Sequence, residues 1–192
     1  MTNPTPRPSV AVTEPDRPQV WVGCFGCRNN GLLVGDWFDA LGAEDITVAD
    51  VHRGSGVDWA EEGCEEIWVF DTDGVWPISA EMDTTTAGRW GELYELVGPT
   101  QWPAFCAWAR SEGTVLDGED LPDVGTFEER YQGEHDDWNA FVWHYVVETN
   151  AQEGWPEEAV RYFDIVRYGR DLRHSFSVED AQYAGIYVFR DA

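Results

Sequence analysis

Cys24 and Cys27 are the first residues able to do chemistry, in the stretch Val22-Gly-Cys-Phe-Gly-Cys-Arg-Asn-Asn-Gly31. A C-x-x-C can supply half of a structural zinc site, act as a redox pair, or place two small residues at the end of a strand. Structural zinc needs four ligands. Cys64 and Cys106 stand alone, with no Cys or His two to four residues away. A redox pair usually opens a helix whose N-terminus lowers the thiol pKa, whereas Arg28-Asn-Asn-Gly31 is turn chemistry. Cys24 also continues the alternation of Val20 and Val22. The pair therefore reads as structural, and no metal is expected. Cys106 falls on an apolar helical stripe and reads as core.

Other chemistry is sparse. The four histidines, at 52, 135, 144 and 174, form no H-E-x-x-H or H-x-x-x-H pair. His135 beside Asp136-Asp137 reads as a solvated helix start. Asp71-Thr-Asp-Gly74 begins like a calcium loop but lacks the third ligand and the closing Glu. G-x-S-x-G, P-loop and G-x-G-x-x-G patterns are absent, which argues against a nucleotide enzyme and against any cofactor. Carboxylates are abundant enough for some pair to fall at glycosidase spacing by chance. A small acidic carboxylate-site enzyme or a sugar-binding protein is thus the alternative reading, and the lack of a secretion signal counts against it.

The dominant feature is charge. Across 192 residues, 37 acids face 12 bases for a net charge of −25, and every base is Arg. Such a surface repels nucleic acid and anionic lipid and attracts basic protein surfaces. Halophilic adaptation would also make a chain acidic, but would spread the acids evenly. Here residues 36–83 and 112–158 each carry net −13, while residues 1–19 and 159–192 are neutral. B-DNA shows one charge per ~1.7 Å of axis, and carboxylates along an elongated surface can imitate that line. The candidates are Asp36, Asp39, Glu61, Glu62, Glu65, Glu66, Asp71, Asp73, Glu119, Asp120, Asp123, Glu128, Glu129, Glu134, Asp136 and Asp137. Each would stand in for a phosphate, and none is catalytic.

The elements that must position these residues are legible in outline. With 43% hydrophobic residues and 11 Trp, the chain can bury one substantial core or two to three small ones. No apolar run is long enough to span a membrane, and the N-terminus lacks the apolar segment of a secretory signal. A reducing cytoplasm is the expected setting. Residues 1–18 hold five prolines and read as a flexible tail. Val20–Phe25 reads as a strand ended by the Asn-Gly turn, and Ile67–Phe70 as a strand stopped at Asp71. Periodicity leaves 44–53 open between helix and strand. Gly35–Asp39 places Trp37 as a core anchor between Asp36 and Asp39.

Asp83 can cap a helix bearing Trp90, Leu93, Tyr94 and Val97, which Gly98-Pro99 stops. Thr100 can cap the next, with Trp102, Phe105, Cys106 and Ala109 on one face. Residues 113–125 read as loop and 127–131 as extended. Asp136-Asp137 open a helix with Trp138, Phe141, Val142 and Tyr145 inward. Pro156 opens a last long helix with the stripe Ala159, Tyr162, Phe163 and Val166. Gly185–Phe189 is a closing strand. The fold class is α+β and elongated, with short antiparallel sheets at both ends and helices between. The expected units are a tail over 1–18, an N-terminal small α+β domain over 19–82, a central helical domain over 83–125 and a C-terminal α+β domain over 126–192.

These segments in this order resemble the ArdA-type antirestriction proteins, DNA mimics carried by mobile elements. The resemblance runs from about Val20 to Phe189. It rests on VWVGCFGCRNNGLLVGDWFDA with its Asn/Gly turn and G-x-W-x-D stretch, and on the acidic strand EEIWVFDTDGVW. It rests also on FEERYQGEHDDWNAFVWHYVVE, with F-x-x-x-Y-x-G before a helix of acidic entry, and on YFDIVRYGRDL and GIYVF. The resemblance implies a curved α+β protein of three small domains and a homodimer joined through the C-terminal domain. It implies inhibition of type I restriction-modification enzymes by occupying the DNA groove of the methyltransferase core, with no direct nucleic-acid binding. The neutral segment 159–192 suits a two-fold interface, where like charges repel. The Pro-rich tail, the cysteines and the lack of Lys depart from the family pattern.

Overall fold

The computed structural model describes residues 17–77, 81–111, 114 and 120–192. Most of the expected tail lies outside them. Its last two positions are tied down: Pro18 is buried and its carbonyl accepts the Ala40 N–H at 2.9 Å, while Arg17 pairs with Asp39 and Glu95.

The first sheet has the order β2-β1-β3, all antiparallel, from β1 (Gln19–Cys24), β2 (Gly35–Asp39) and β3 (Ile67–Asp73). The alternation of β1 sends Val20 and Val22 wholly inward. After β1 the chain makes one helical turn, α1 (Phe25–Asn29), with Cys24 at its N-cap. The strand thus ends before Phe25 and the C-x-x-C does open a helix, contrary to expectation, before the Asn-Gly turn at Gly31 with φ +78°. Trp37 lies opposite Trp21 on the outer face and is 43% exposed, so it is no core anchor. Phe38, opposite Val20, packs inward instead, because adjacent strand residues face opposite sides. β3 runs through Asp71 to Asp73 rather than stopping at Asp71. Both carboxylates point to water, and Gly74 at φ +88° ends the strand.

The open segment 44–53 resolves into a 3₁₀ turn (Ala43–Asp45) and a short helix, α2 (Val48–Val51), held by a Thr47/Asp50 capping box. α3 (Thr84–Val97) starts at the Asp83 cap and buries Ala87, Trp90, Gly91 and Tyr94. α4 (Trp102–Arg110) starts at Gln101 rather than Thr100, without a side-chain cap. Its Trp102 indole donates to the Val75 carbonyl at 2.7 Å and stacks on Phe105. A helix, α5 (Val124–Arg130), replaces the extended segment expected at 127–131. Asp123 accepts the Thr126 N–H and hydroxyl and so nucleates it.

The second sheet has the order β4-β6-β5, antiparallel, from β4 (Tyr131–His135), β5 (Phe176–Asp180) and β6 (Ile186–Arg190). α6 (Trp138–Glu148) starts at Asp137, as expected. The single long helix expected after Pro156 is two, α7 (Glu157–Arg161) and α8 (Ile165–Leu172), because Asp164 caps a new start on the Arg167 N–H. The expected stripe is consequently not core: Tyr162 is 76% and Val166 63% exposed. Ile165, Tyr168 and Leu172 face inward in its place.

Buried side chains fall into two clusters. One joins the first sheet, α3, α4 and Phe127, and takes Tyr187 and Phe189 from β6. The other gathers Phe141, Val142, Phe176 and Val188. Alternation along the central strand β6 thus feeds both cores, which is why Ile-Tyr-Val-Phe is apolar without interruption. The result is α+β, with helices between two small antiparallel sheets. Among the described residues no helix is long and apolar enough to cross a membrane.

Candidate functional site

The sheet assembles acids that the sequence keeps apart. On its outer face Asp39 and Asp73 flank Gln19 from the two sides, and Asp71 lies beside Trp21. Neighbouring strands lie ~4.8 Å apart, so Asp39 and Asp73 stand about 10 Å apart across β1, and Asp71 and Asp73 about 6.8 Å apart along β3. Thirteen of the sixteen candidate acids are exposed. Asp39 and Asp123 are half-buried, and Glu119 lies outside the described residues. Asp36 is at the sheet edge, Glu61, Glu62, Glu65 and Glu66 are on the loop before β3, and Asp120 precedes α5. Glu128 and Glu129 are on α5 itself, Glu134 is on β4, and Asp136 and Asp137 lead into α6.

Among the described residues, Asp39 is the one candidate held in an ion pair, with Arg17 at 3.4 Å. The other ion pairs engage Asp50, Glu81, Glu95, Glu148 and Glu157. Two candidates already serve the fold, since Asp123 and Asp137 cap α5 and α6. The Thr126 hydroxyl and N–H hold the Asp123 carboxyl below its usual range. What remains is a set of exposed carboxylates in no ion pair among the described residues. Two cavities, of about 250 and 330 Å³, are each lined by a single carboxylate, Asp180 in one and Asp191 in the other. Neither offers the carboxylate pair that glycoside hydrolysis uses.

A second constellation sits behind the sheet, and sequence reasoning missed it. Cys24, Cys27, His52 and Cys64 are all buried, and their donor atoms lie within 4.8 Å of one another. Cys27 Sγ is 3.7 Å from Cys64 Sγ and 3.5 Å from His52 Nε2. The Cys27 N–H donates to Cys24 Sγ at 3.4 Å. Burial pushes the Cys27 thiol up to about 12, reinforced by hydrogen bonds to Cys24 and Cys64. The Cys24 thiol moves down, because hydrogen bonds led by the Cys27 amide outweigh the effect of burial. Cys64 and His52 look isolated in sequence because loops bring them in. One available signal was that three of the four cysteines and one histidine fall within residues 24–64. Cys106 is elsewhere, buried against the Val75 carbonyl, and burial raises its pKa.

Fold and surface together define a small acidic α+β protein with a dense array of unpaired carboxylates. Residues 20–185 match the family described as antirestriction protein (ArdA), and the chain belongs to that family. Membership implies an antirestriction function, interaction with type I restriction-modification enzymes, and the role of inhibitor rather than enzyme. No individually curated protein matches the chain.

Proposed function

We propose that this protein blocks type I restriction-modification enzymes as a DNA mimic, acting in the cytoplasm and occupying the DNA groove of the methyltransferase core. The carrying observation is that thirteen of the candidate acids are exposed and, among the described residues, held in no ion pair. A carboxylate without a neighbouring Arg keeps its full charge for a partner. An Arg/Lys groove built for phosphates would meet such charges at many points. Asp71 and Asp73 belong to one acidic band, with Asp39 beside them paired to Arg17, and Glu128, Glu129, Glu134 and Asp136 belong to the other. The reading takes 19–82, 83–125 and 126–192 as units carrying this array.

The same reading makes the protein a homodimer through its C-terminal unit. Trp143, Val147, Trp155, Tyr162, Val166 and Tyr183 are large apolar side chains left exposed there. Tyr162, Val166 and Tyr183 lie in the neutral segment 159–192, and Trp143, Val147 and Trp155 in the acidic band before it. A self-complementary interface needs apolar cover without like-charge repulsion, and the segment 159–192 supplies both through Tyr162, Val166 and Tyr183.

The test is competition. Purified protein should displace a DNA duplex from a type I methyltransferase core at low salt. Glu61, Glu62, Glu65 and Glu66 changed stepwise to Gln should weaken the competition gradually. If a single carboxylate change abolishes it while the others are silent, the mimic reading is lost in favour of a discrete site.

A further inference from the structure

We infer that Cys24, Cys27, His52 and Cys64 form a closed structural zinc site. The inference stands on geometry and does not depend on what the surface acids bind. A tetrahedral centre with Zn–S of ~2.3 Å and Zn–N of ~2.0 Å sets S···S edges of ~3.8 Å and S···N edges of ~3.5 Å. The Cys27–Cys64 and Cys27–His52 separations are 3.7 and 3.5 Å, and the remaining donor pairs lie within 4.8 Å. A disulfide would need sulfurs at ~2.05 Å, so the thiols are not paired that way.

His52 is oriented for the task. Its Nδ1–H donates to the Val48 carbonyl at 2.7 Å, which fixes the tautomer that presents the Nε2 lone pair to Cys27. It is also the one buried charged or polar side chain of the core among the described residues. A histidine placed in an apolar core with one ring nitrogen aimed at three thiols has a ligand's environment. The Cys27 N–H to Cys24 Sγ bond stabilises a thiolate in the same way. Three sulfurs and one imidazole, all from the protein and away from solvent, match the softness and coordination number of structural zinc.

The site joins the central strand to a stretch without regular structure. Cys24 is the N-cap of α1, Cys27 lies in its first turn, and His52 follows α2. Cys64 lies in residues 54–66, a stretch of turns with Gly54, Gly56 and Gly63 at positive φ. That stretch has no strand or helix of its own, yet it delivers a buried cysteine to the core. Binding Zn²⁺ would send the protons of the three thiols to solvent, while His52 keeps its Nδ1 proton. The metal would then pin the segment that carries Glu61 and Glu62.

The experiment is metal analysis of the full chain purified without chelator, by native mass spectrometry and elemental emission. Zinc equal to one ion per chain is expected. Protein stripped of metal and titrated with Co²⁺ should show thiolate-to-cobalt charge transfer and the visible bands of tetrahedral cobalt. Cys64→Ala should lose the metal, His52→Cys should keep it, and Cys106→Ala should keep it. His52→Ala should weaken binding by more than the ~100-fold that loss of an orienting partner costs. Stripping the metal should expose residues 54–63 to protease. Zinc below about a tenth of an equivalent with no tetrahedral cobalt spectrum would overturn the inference. So would iron in place of zinc, or metal loss from Cys106→Ala. The cobalt titration uses the unaltered chain, so variants that fail to fold do not decide the matter.

Discussion

At the residue scale, carboxylates have two separable roles. Asp83, Asp123, Asp137 and Asp164 accept backbone N–H groups at helix starts. Asp50 does the same at α2, six surface acids sit in ion pairs, and thirteen of the candidate acids are exposed to water. Asp123→Ala removes the cap of α5 and should cost ~1 kcal/mol, read by urea denaturation. Its pH dependence has a defined sign. The folded-state pKa of Asp123 is depressed, first by the Thr126 hydroxyl and then by the Thr126 N–H. Its stabilising contribution is therefore complete above the unfolded value of ~3.9 and is lost as pH falls through the lower folded value. The Ala variant should lose less stability than the parent as pH drops below about 4. A parallel decline in both proteins would show that the cap does not titrate as described.

At the element scale, packing reverses ordinary propensity. Glycine inside a helix is normally ~1 kcal/mol worse than alanine. Gly91 lies inside α3, however, where an added Cβ would run into the backbone of Ala40 and Leu41. The helix can approach the end of β2 only because that side chain is missing. Gly91→Ala should thus destabilise by ~1–3 kcal/mol, the range for overpacking, where propensity alone predicts a gain. Thermal unfolding of the two proteins checks the sign. The elements were legible where local chemistry was strong. Asp83 and Gly98 bound α3, Asp137 opens α6, and the run at 186–189 reads as strand because β6 is buried on both faces. Expectations failed where one residue tipped a local choice. Asp123 turns 124–130 into helix, and Asp164 splits the last helix in two. Phe38 rather than Trp37 faces the core, because register against β1 sets the inward side and size does not.

At the scale of the whole molecule, net charge of −25 acts on folding and on binding with opposite salt dependence. Self-repulsion is screened as salt rises, so the melting temperature should climb between low salt and physiological ionic strength. Direct binding of the protein to a type I enzyme should weaken over the same range, because counterion release favours it less as salt rises. A single salt series measuring both quantities checks the pair, and binding that strengthens with salt would contradict the mimic reading. The exposed apolar residues of the C-terminal part give the last prediction. If the proposed dimer forms through this region, Val166→Glu should shift it to monomer in light scattering without lowering the melting temperature appreciably, since Val166 is 63% exposed.

The sequence by itself determined the charge, its two bands, the family, the α+β class and the helices whose caps lie within a few residues. These are local or additive properties, fixed by residue type and short spacing. Tertiary structure alone decided which acids share a face, because strand order brings Asp39 and Asp73 to either side of Gln19 from positions 34 residues apart. It also decided the fate of the cysteines. Cys24 and Cys27 looked like half of something without a second half, since His52 and Cys64 follow at no motif spacing. The second half exists because α2 and the 54–66 loop fold back onto β1, and such closure depends on the whole core, not on any neighbouring residue.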